Sequence, residues 1–240
     1  MLAGQPSPES HEQSALFLLA IDTCGPSGSV ALGRQAGGVV EILGQIELAG
    51  RSYSATLVAA VSELLAREGV ELRKLDTMVA VNGPGSFTGV RVGLSAVKGL
   101  AEGTRIPVAA VSRLEVLAWK AGVPSSALDA HRHEVFLRVS GPSLETRELL
   151  AGAQELAAIA PAPRRIAVCD DAAAALLGAA WLGAELVRVA APTAGDALRL
   201  CADRVTASKF VDLALLDGHY LRRSDAEIFG EPETAGARRA

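Results

Sequence analysis

In DTMVAVNGPGSFTGVRVGLSAVKGLAEG, residues Asp76 to Gly103, three local signals follow one another. Asp76 to Val81 is short, apolar and weakly alternating, which predicts a buried strand. Gly83-Pro84-Gly85-Ser86 must then turn sharply, because glycine reaches backbone angles closed to other residues and Pro84 fixes its own φ. After Gly89 a helix is predicted: Val90, Gly93, Val97 and Leu100 recur at helical spacing, and Gly103 is the expected stop. One side of that helix is lined by Gly89, Gly93, Ala96 and Gly99. A helical glycine costs ~1 kcal/mol relative to alanine, so the series needs a reason. Two reasons compete: close packing on the chain's own sheet, or close approach of a helix from another subunit.

The loop fails the spacing of the familiar catalytic motifs. A P-loop ends in Gly-Lys-Ser/Thr, but Gly89 is followed by Val90 and Arg91. Gly83, Gly85 and Gly89 miss the dinucleotide fingerprint by one residue, and Ser86 lacks the flanking glycines of an esterase elbow. Holding an anion on the N–H groups at a helix start stays open.

Upstream, Ala15 to Ile21 reads as a strand ending at Asp22, Ser29 to Gly33 as its hairpin partner, and Val39 to Leu48 as a third strand. A carboxylate closing a first strand, followed by small hydroxyl residues, is how actin-like ATPase folds begin. Asp22 and Thr23 fit that role, and they equally fit a plain Asx turn. Ser52 to Arg67 is predicted as a helix on Leu57, Val61, Leu64 and Leu65, with Ser52 or Ser54 as N-cap. Val58 and Ala59 widen its apolar stripe beyond one face.

Three antiparallel strands followed by βαβ crossovers describe a ribonuclease-H-like unit. After Val108–Val111 the pattern returns: a helix over 112–122 with a Ser112/Glu115 capping box, strands at 127–130 and 134–140, and a helix over 151–159. A strand at 165–169, a helix over 172–182, a strand at 185–189 and a helix over 194–207 complete it. The expected division is a disordered extension (1–14), a first subdomain (15–111) and a second (112–208). A C-terminal segment (209–230) returns to the first subdomain, and a disordered tail (231–240) ends the chain.

Half of the 240 residues are hydrophobic and only 4% aromatic, so Leu, Val and Ala must build the core. A net charge of −4 argues against a domain that grips nucleic acid unaided. The chain has no uncharged apolar run of about 18 residues and no secretory leader pattern. Cys24, Cys169 and Cys201 are odd in number and in no C-x-x-C pair, as expected of a reduced, cytoplasmic, zinc-free protein. Asp129, His131 and His133 alternate along one strand face but offer only two good metal ligands without a visible fourth. Asp170 and Asp171 precede an Ala-rich helix, where N-capping accounts for them. No nucleophile–base set assembles by spacing.

LAIDTCGPSGSVAL (19–32), VNGPGSFTGVRVGLSAVKGLA (81–101), VSRLEVLA (111–118), LDAHRHEVF (128–136) and YLRRSDAEI (220–228) occur in this order. Together they resemble the TsaB (YeaZ) family of the bacterial threonylcarbamoyl-adenosine pathway, from about Leu16 to Ile228. The resemblance implies an α/β, actin-like (ASKHA) fold of two ribonuclease-H-like subdomains with mixed sheets flanked by helices. It implies a non-catalytic subunit that pairs directly with the transferase TsaD through the two helices of the first half, and with itself when TsaD is absent. The ATPase TsaE joins, tRNA is reached through the complex, and ATP or ADP and metal are held by the partner subunits. The activity implied for the complex is transfer of threonylcarbamoyl to N6 of adenosine 37 in tRNAs reading ANN codons. The interface candidates, by periodicity, are Leu57, Val61, Leu64, Val92, Ala96 and Gly99. Asp22, Thr23, Gly83, Gly85, Ser86 and Gly89 would be vestigial phosphate loops. The chain departs from common family patterns at Tyr53, at His131 and Phe136, and at Cys169-Asp170-Asp171. A glycoprotease-type peptidase or a small-molecule kinase of the actin-like superfamily are the competing functions.

Overall fold

In the structure, a computed structural model, residues 15–50, 52–141 and 144–222 are described. The proposed N-terminal extension, the tail and the end of the YLRRSDAEI segment lie outside the described residues. The first half lays out β1 (Leu16–Asp22), β2 (Ser27–Ala36), β3 (Val39–Ala49), α1 (Tyr53–Arg67), β4 (Thr77–Val81), α2 (Phe87–Thr104) and β5 (Val108–Val111). α3 (Arg113–Lys120) follows. The second half continues with β6 (Ser125–Asp129), β7 (Val135–Gly141), β8 (Leu144–Ala151), α4 (Ala153–Ala158), β9 (Arg165–Val168), α5 (Asp171–Ala180), β10 (Glu185–Arg188) and α6 (Ala194–Thr206).

The two halves repeat one plan. The first sheet has the order β3-β2-β1-β4-β5 and the second, read from its far edge, β8-β7-β6-β9-β10. In each, three antiparallel strands meet two parallel ones. β4, central and flanked by parallel neighbours, is buried at every residue, which is why it reads as an unbroken apolar run. The repeat extends to the turn after each first strand. Asp22 Oδ1 accepts the Cys24 N–H at 2.8 Å, and Asp129 Oδ1 accepts the His131 N–H at 2.8 Å.

The last helix of each half crosses to the other half's sheet. α3 buries Leu114 and Leu117 with Leu128, Phe136 and Ala167 of the second half. α6 buries Ala197, Leu198, Cys201 and Val205 in one core with Leu19, Val30 and Leu32. Chain order had put α6 in the second subdomain; its apolar face instead completes the first. Where the two helices meet, Lys120 pairs with Asp196 at 2.7 Å and Arg204 pairs with Glu115. Glu115 is thus spent on Arg204, and no capping box forms at Ser112, whose Oγ caps the Leu114 N–H alone.

Other boundaries differ from the sequence reading for local reasons. α2 begins at Phe87, because Ser86 Oγ accepts the Gly89 N–H and caps the helix two residues before Gly89. It runs through Gly103 and stops at Arg105, which adopts left-handed φ 61. β8 was not expected: LETRELLA carries alternating charges, as suits a sheet edge. One of those charges is turned inward. Glu148 is 8% exposed and accepts from Ser112 Oγ at 2.6 Å and Arg138 Nη1 at 2.7 Å, with His219 Nε2 at 2.8 Å. It joins α3, β7 and the C-terminal segment, which also docks by Val211 N–H to Val108 O and His219 N–H to Asn82 O.

Burial alone would raise the Glu148 pKa, but hydrogen bonds from His219, Ser112 and Arg138 outweigh it and hold the carboxyl below its ordinary value of 4.5. A folded-state value below the unfolded one contributes stability above about the unfolded pKa and loses it as pH falls through the folded one. Acid unfolding of the wild type is therefore expected to steepen below about pH 4.5. Glu148→Gln is expected to be ~1–3 kcal/mol less stable near neutrality, with a shallower acid limb in urea melts taken across pH. Equal slopes for the two proteins would contradict the assignment.

Candidate functional site

The strongest sequence motifs converge on one place, where the β1–β2 turn meets the loop after β4. Asp22, Thr23, Gly83, Gly85, Ser86 and Gly89 are brought together there. Thr23 Oγ1 donates to Gly89 O at 2.6 Å, the Ser86 N–H donates to Cys24 O at 2.8 Å, and the Arg113 N–H donates to Gly83 O at 2.6 Å. Tyr53 OH closes the turn from α1 by donating to Gly25 O at 2.8 Å.

The two loops are packed into each other. A Cβ at Gly85 would collide with the Cys24 carbonyl, and one at Gly89 with the Thr23 carbonyl. Gly89 therefore serves the chain's own packing, and so does Gly93, which abuts the Thr23 side chain. Asp22 is 1% exposed, with one oxygen used by the turn and the other receiving Arg113 Nε at 3.3 Å. Arg113 is itself 5% exposed, and its guanidinium lies against Gly25. Sequence reasoning missed Arg113, whose partner lies 91 residues away.

The electrostatics follow from this sealing. Burial opposes the charge on Arg113, but the Asp22 carboxylate outweighs it and raises the guanidinium pKa further. Burial, with Asp22 next, pushes the Cys24 thiol well above its ordinary value and Tyr53 up to about 12. Cys24 stays a thiol and is no nucleophile. The acid and the cation of this place are paired with each other, and the Cys24, Ser86, Gly89 and Arg113 N–H groups are engaged within the chain. Asp22, paired in this way, does not fit the role of a ligand to a nucleotide's metal ion.

The second candidate surface is open. Leu57, Val61 and Leu64 are 2%, 4% and 0% exposed and hold α1 on its own sheet. They are core residues and not the surface anchors that periodicity suggested. Periodicity finds the stripe that faces the core and says nothing of what faces outward. The outward signal in α1 was the apolar residue out of phase, Val58, which is 62% exposed beside exposed Ala55, Ala59 and Ala66. On α2, Val92 and Ala96 are half-buried and Gly99 is exposed, with nothing within 4 Å of a Cβ at Gly99 or Gly103. Gly99, Leu100, Gly103 and Thr104 line a groove of about 530 Å³ with Glu71, Leu72 and Arg73.

The remaining acids and histidines are turn chemistry. His131 Nδ1 lies 2.9 Å from Asp129 Oδ2, and His131, Arg132 and His133 all have positive φ. Among the described residues no three His, Cys, Asp or Glu side chains are grouped for a metal ion. Asp170 Oδ1 caps α5 through the Ala173 N–H at 2.7 Å.

Four substitutions separate the closed and open places. Arg113→Met leaves Asp22 charged and buried, and is expected to cost ~3–5 kcal/mol in urea unfolding. Adding Asp22→Asn is expected to recover most of that, and a cost below about 1 kcal/mol for Arg113→Met would refute the pair's role. Gly89→Ala is expected to destabilise the chain, whereas Gly99→Ala, at an open helical position, is expected to stabilise it by ~1 kcal/mol.

The comparisons follow the same geometry. Residues 32–155 match the family model of TsaD, tRNA N6-adenosine threonylcarbamoyltransferase. The tRNA threonylcarbamoyladenosine biosynthesis protein TsaB of Haemophilus influenzae is 38% identical over 127 residues, covering 50% of this chain and 52% of that protein. The tRNA N6-adenosine threonylcarbamoyltransferase of Paracoccus denitrificans is 35% identical over 185 residues, covering 74% of this chain and 48% of that protein. The chain thus spans about half the length of the curated relatives it matches. The solved structure of YeaZ from Pseudomonas aeruginosa superposes with a TM-score of 0.66 at 27% identity, covering 86% of this chain and 100% of that one. A doubled α/β plan, the GPGSFTGVRVG loop and these likenesses agree: the chain belongs to the tRNA N6-adenosine threonylcarbamoyltransferase family, on its TsaB/YeaZ branch, with the actin-like fold.

Proposed function

We propose that this chain is a non-catalytic subunit of a tRNA-modifying complex in the cytoplasm. It binds and supports a TsaD-type transferase that adds threonylcarbamoyl to N6 of adenosine 37 in tRNAs reading ANN codons. The observation that carries the reading is the sealed loop junction. Asp22 is neutralised by Arg113 and the glycines hold loop against loop, so the acid that would serve a nucleotide's metal is already paired. Nucleotide and metal are held by the partner subunits, with TsaE as a third member.

The outer face of α1 and α2 is the pairing surface in this reading. Val58, Val92, Ala96 and Gly99 are small residues at exposed or half-buried positions, against which partner helices pack closely. The same face, being usable by a second copy, makes the homodimer when the transferase is absent. A peptidase or a small-molecule kinase would need a nucleophile, a metal set or a free phosphate loop, and none of the residues above is disposed for one.

Co-expression with a TsaD-type transferase tests the proposal. A stable complex is expected on size-exclusion chromatography with mass measurement. Ala96→Arg and Val58→Arg, both at solvent-accessible positions, are expected to weaken it at least tenfold while leaving the free chain's melting temperature unchanged. Failure of the wild-type pair to associate would overturn the function; full association of both variants would overturn the surface.

A further inference from the structure

The exposed side of α2 has two flanks, and only one carries the small residues. Along the other, Phe87, Arg91, Ser95 and Lys98 follow at helical spacing. Beside them the C-terminal segment brings Leu216, Asp217 and Tyr220, and together with Leu94 these residues line a cavity of about 270 Å³. The Phe87 and Tyr220 rings lie 5.0 Å apart at 47°. The Arg91 guanidinium sits 3.7 Å above the Phe87 ring and 5.9 Å from that of Tyr220.

The Tyr220 ring also lies against Gly218, so the cluster seats the end of the C-terminal segment on α2. Tyr220 is 37% exposed and Arg91 is on the surface. The other arginines of the interior and the helix crossings are matched to carboxylates, but among the described residues neither Arg91 nor Lys98 has an ion-pair partner. Among the described residues Asp217 is the only carboxylate lining the cavity, and its Oδ1 accepts the Gly218 N–H. Two cations without carboxylate partners among the described residues, beside two tilted rings, make a local cationic patch in a chain of net charge −4.

We propose that this cavity is a stacking site for one unpaired nucleotide of RNA. A base stacks on Tyr220 and on the open face of the Arg91 guanidinium, Lys98 meets a backbone phosphate, and Ser95 and Asp217 offer hydrogen bonds to the base edge. Aromatic rings interleaved with cations are the general means of holding single-stranded nucleic acid. The volume, just below the ~300–1,000 Å³ of ligand cavities, takes one base and not a stacked pair. That the RNA is tRNA rests on the function proposed above; the stacking chemistry does not. The site flanks the pairing surface on the same helix, so a bound transferase leaves it at the rim.

The test uses the full chain alone, without the transferase, so that its outcome is independent of pairing. Fluorescence anisotropy with labelled single-stranded oligoadenylate at low salt is expected to show saturable binding. Tyr220→Ala is expected to weaken it roughly tenfold and Tyr220→Phe to leave it nearly unchanged, as stacking requires. Lys98→Ala is expected to weaken binding and to lower the slope of log affinity against log salt by about 0.7, one single-strand phosphate. Melting temperatures guard against misfolding, and Arg91→Ala on the exposed helix supplies a second variant if Tyr220→Ala perturbs the C-terminal segment. Absence of binding by the wild type, or affinity indifferent to these substitutions, would overturn the site. Displacement of the RNA by polyglutamate but not by unlabelled oligoadenylate would overturn it too, in favour of an acidic protein partner.

Discussion

The ion pair between Asp22 and Arg113 ties the molecule together. Asp22 closes β1, the first strand of one half; Arg113 opens α3, the helix that crosses to the other. Both are buried, so neither charge is tolerable without the other, and breaking such a pair costs several times what a surface bridge contributes. The pair holds the end of β1 to the start of α3 and fills the place where the two characteristic loops of the fold meet. The place where these loops meet is thereby a clamp.

The exchange of α3 and α6 explains why one clamp has such reach. Each helix completes the core that the other half leaves open, so neither half is finished until both have folded. Lys120–Asp196 and Arg204–Glu115 fasten the helices where they meet, and Glu148 fastens the C-terminal segment. Those charges are turned inward at the junctions, while Val58 on α1 and Val92, Ala96 and Gly99 on one flank of α2 are small residues left at least partly exposed. Small side chains on a helix let another helix approach closely.

How much of this is legible in the sequence depends on the range of the interaction. Strands in both halves follow from apolar runs, and α1 from Leu57, Val61 and Leu64, because burial against a sheet imposes its own periodicity. The Asx turn at Asp22 and the cap at Asp170 are local and were readable. What was not readable is tertiary. Gly93 and Gly99 are alike in sequence, yet one abuts Thr23 and the other faces open space. The stripe that predicts a helix is the stripe it hides, so the anchors chosen by period on α1 proved to be core. β8 hid behind its charges because an edge strand is built to look polar. The crossing of α6 could not be seen from chain order, nor could a partner for Arg113.

The central claim is that this chain contributes a surface and has closed its own phosphate loops. Calorimetric titration of Mg·ATP into the isolated full-length protein tests it most directly. No saturable heat is expected at millimolar nucleotide, and no rise in melting temperature should accompany it. Stoichiometric binding of the nucleotide by the chain alone, lost in Asp22→Asn, would contradict the account.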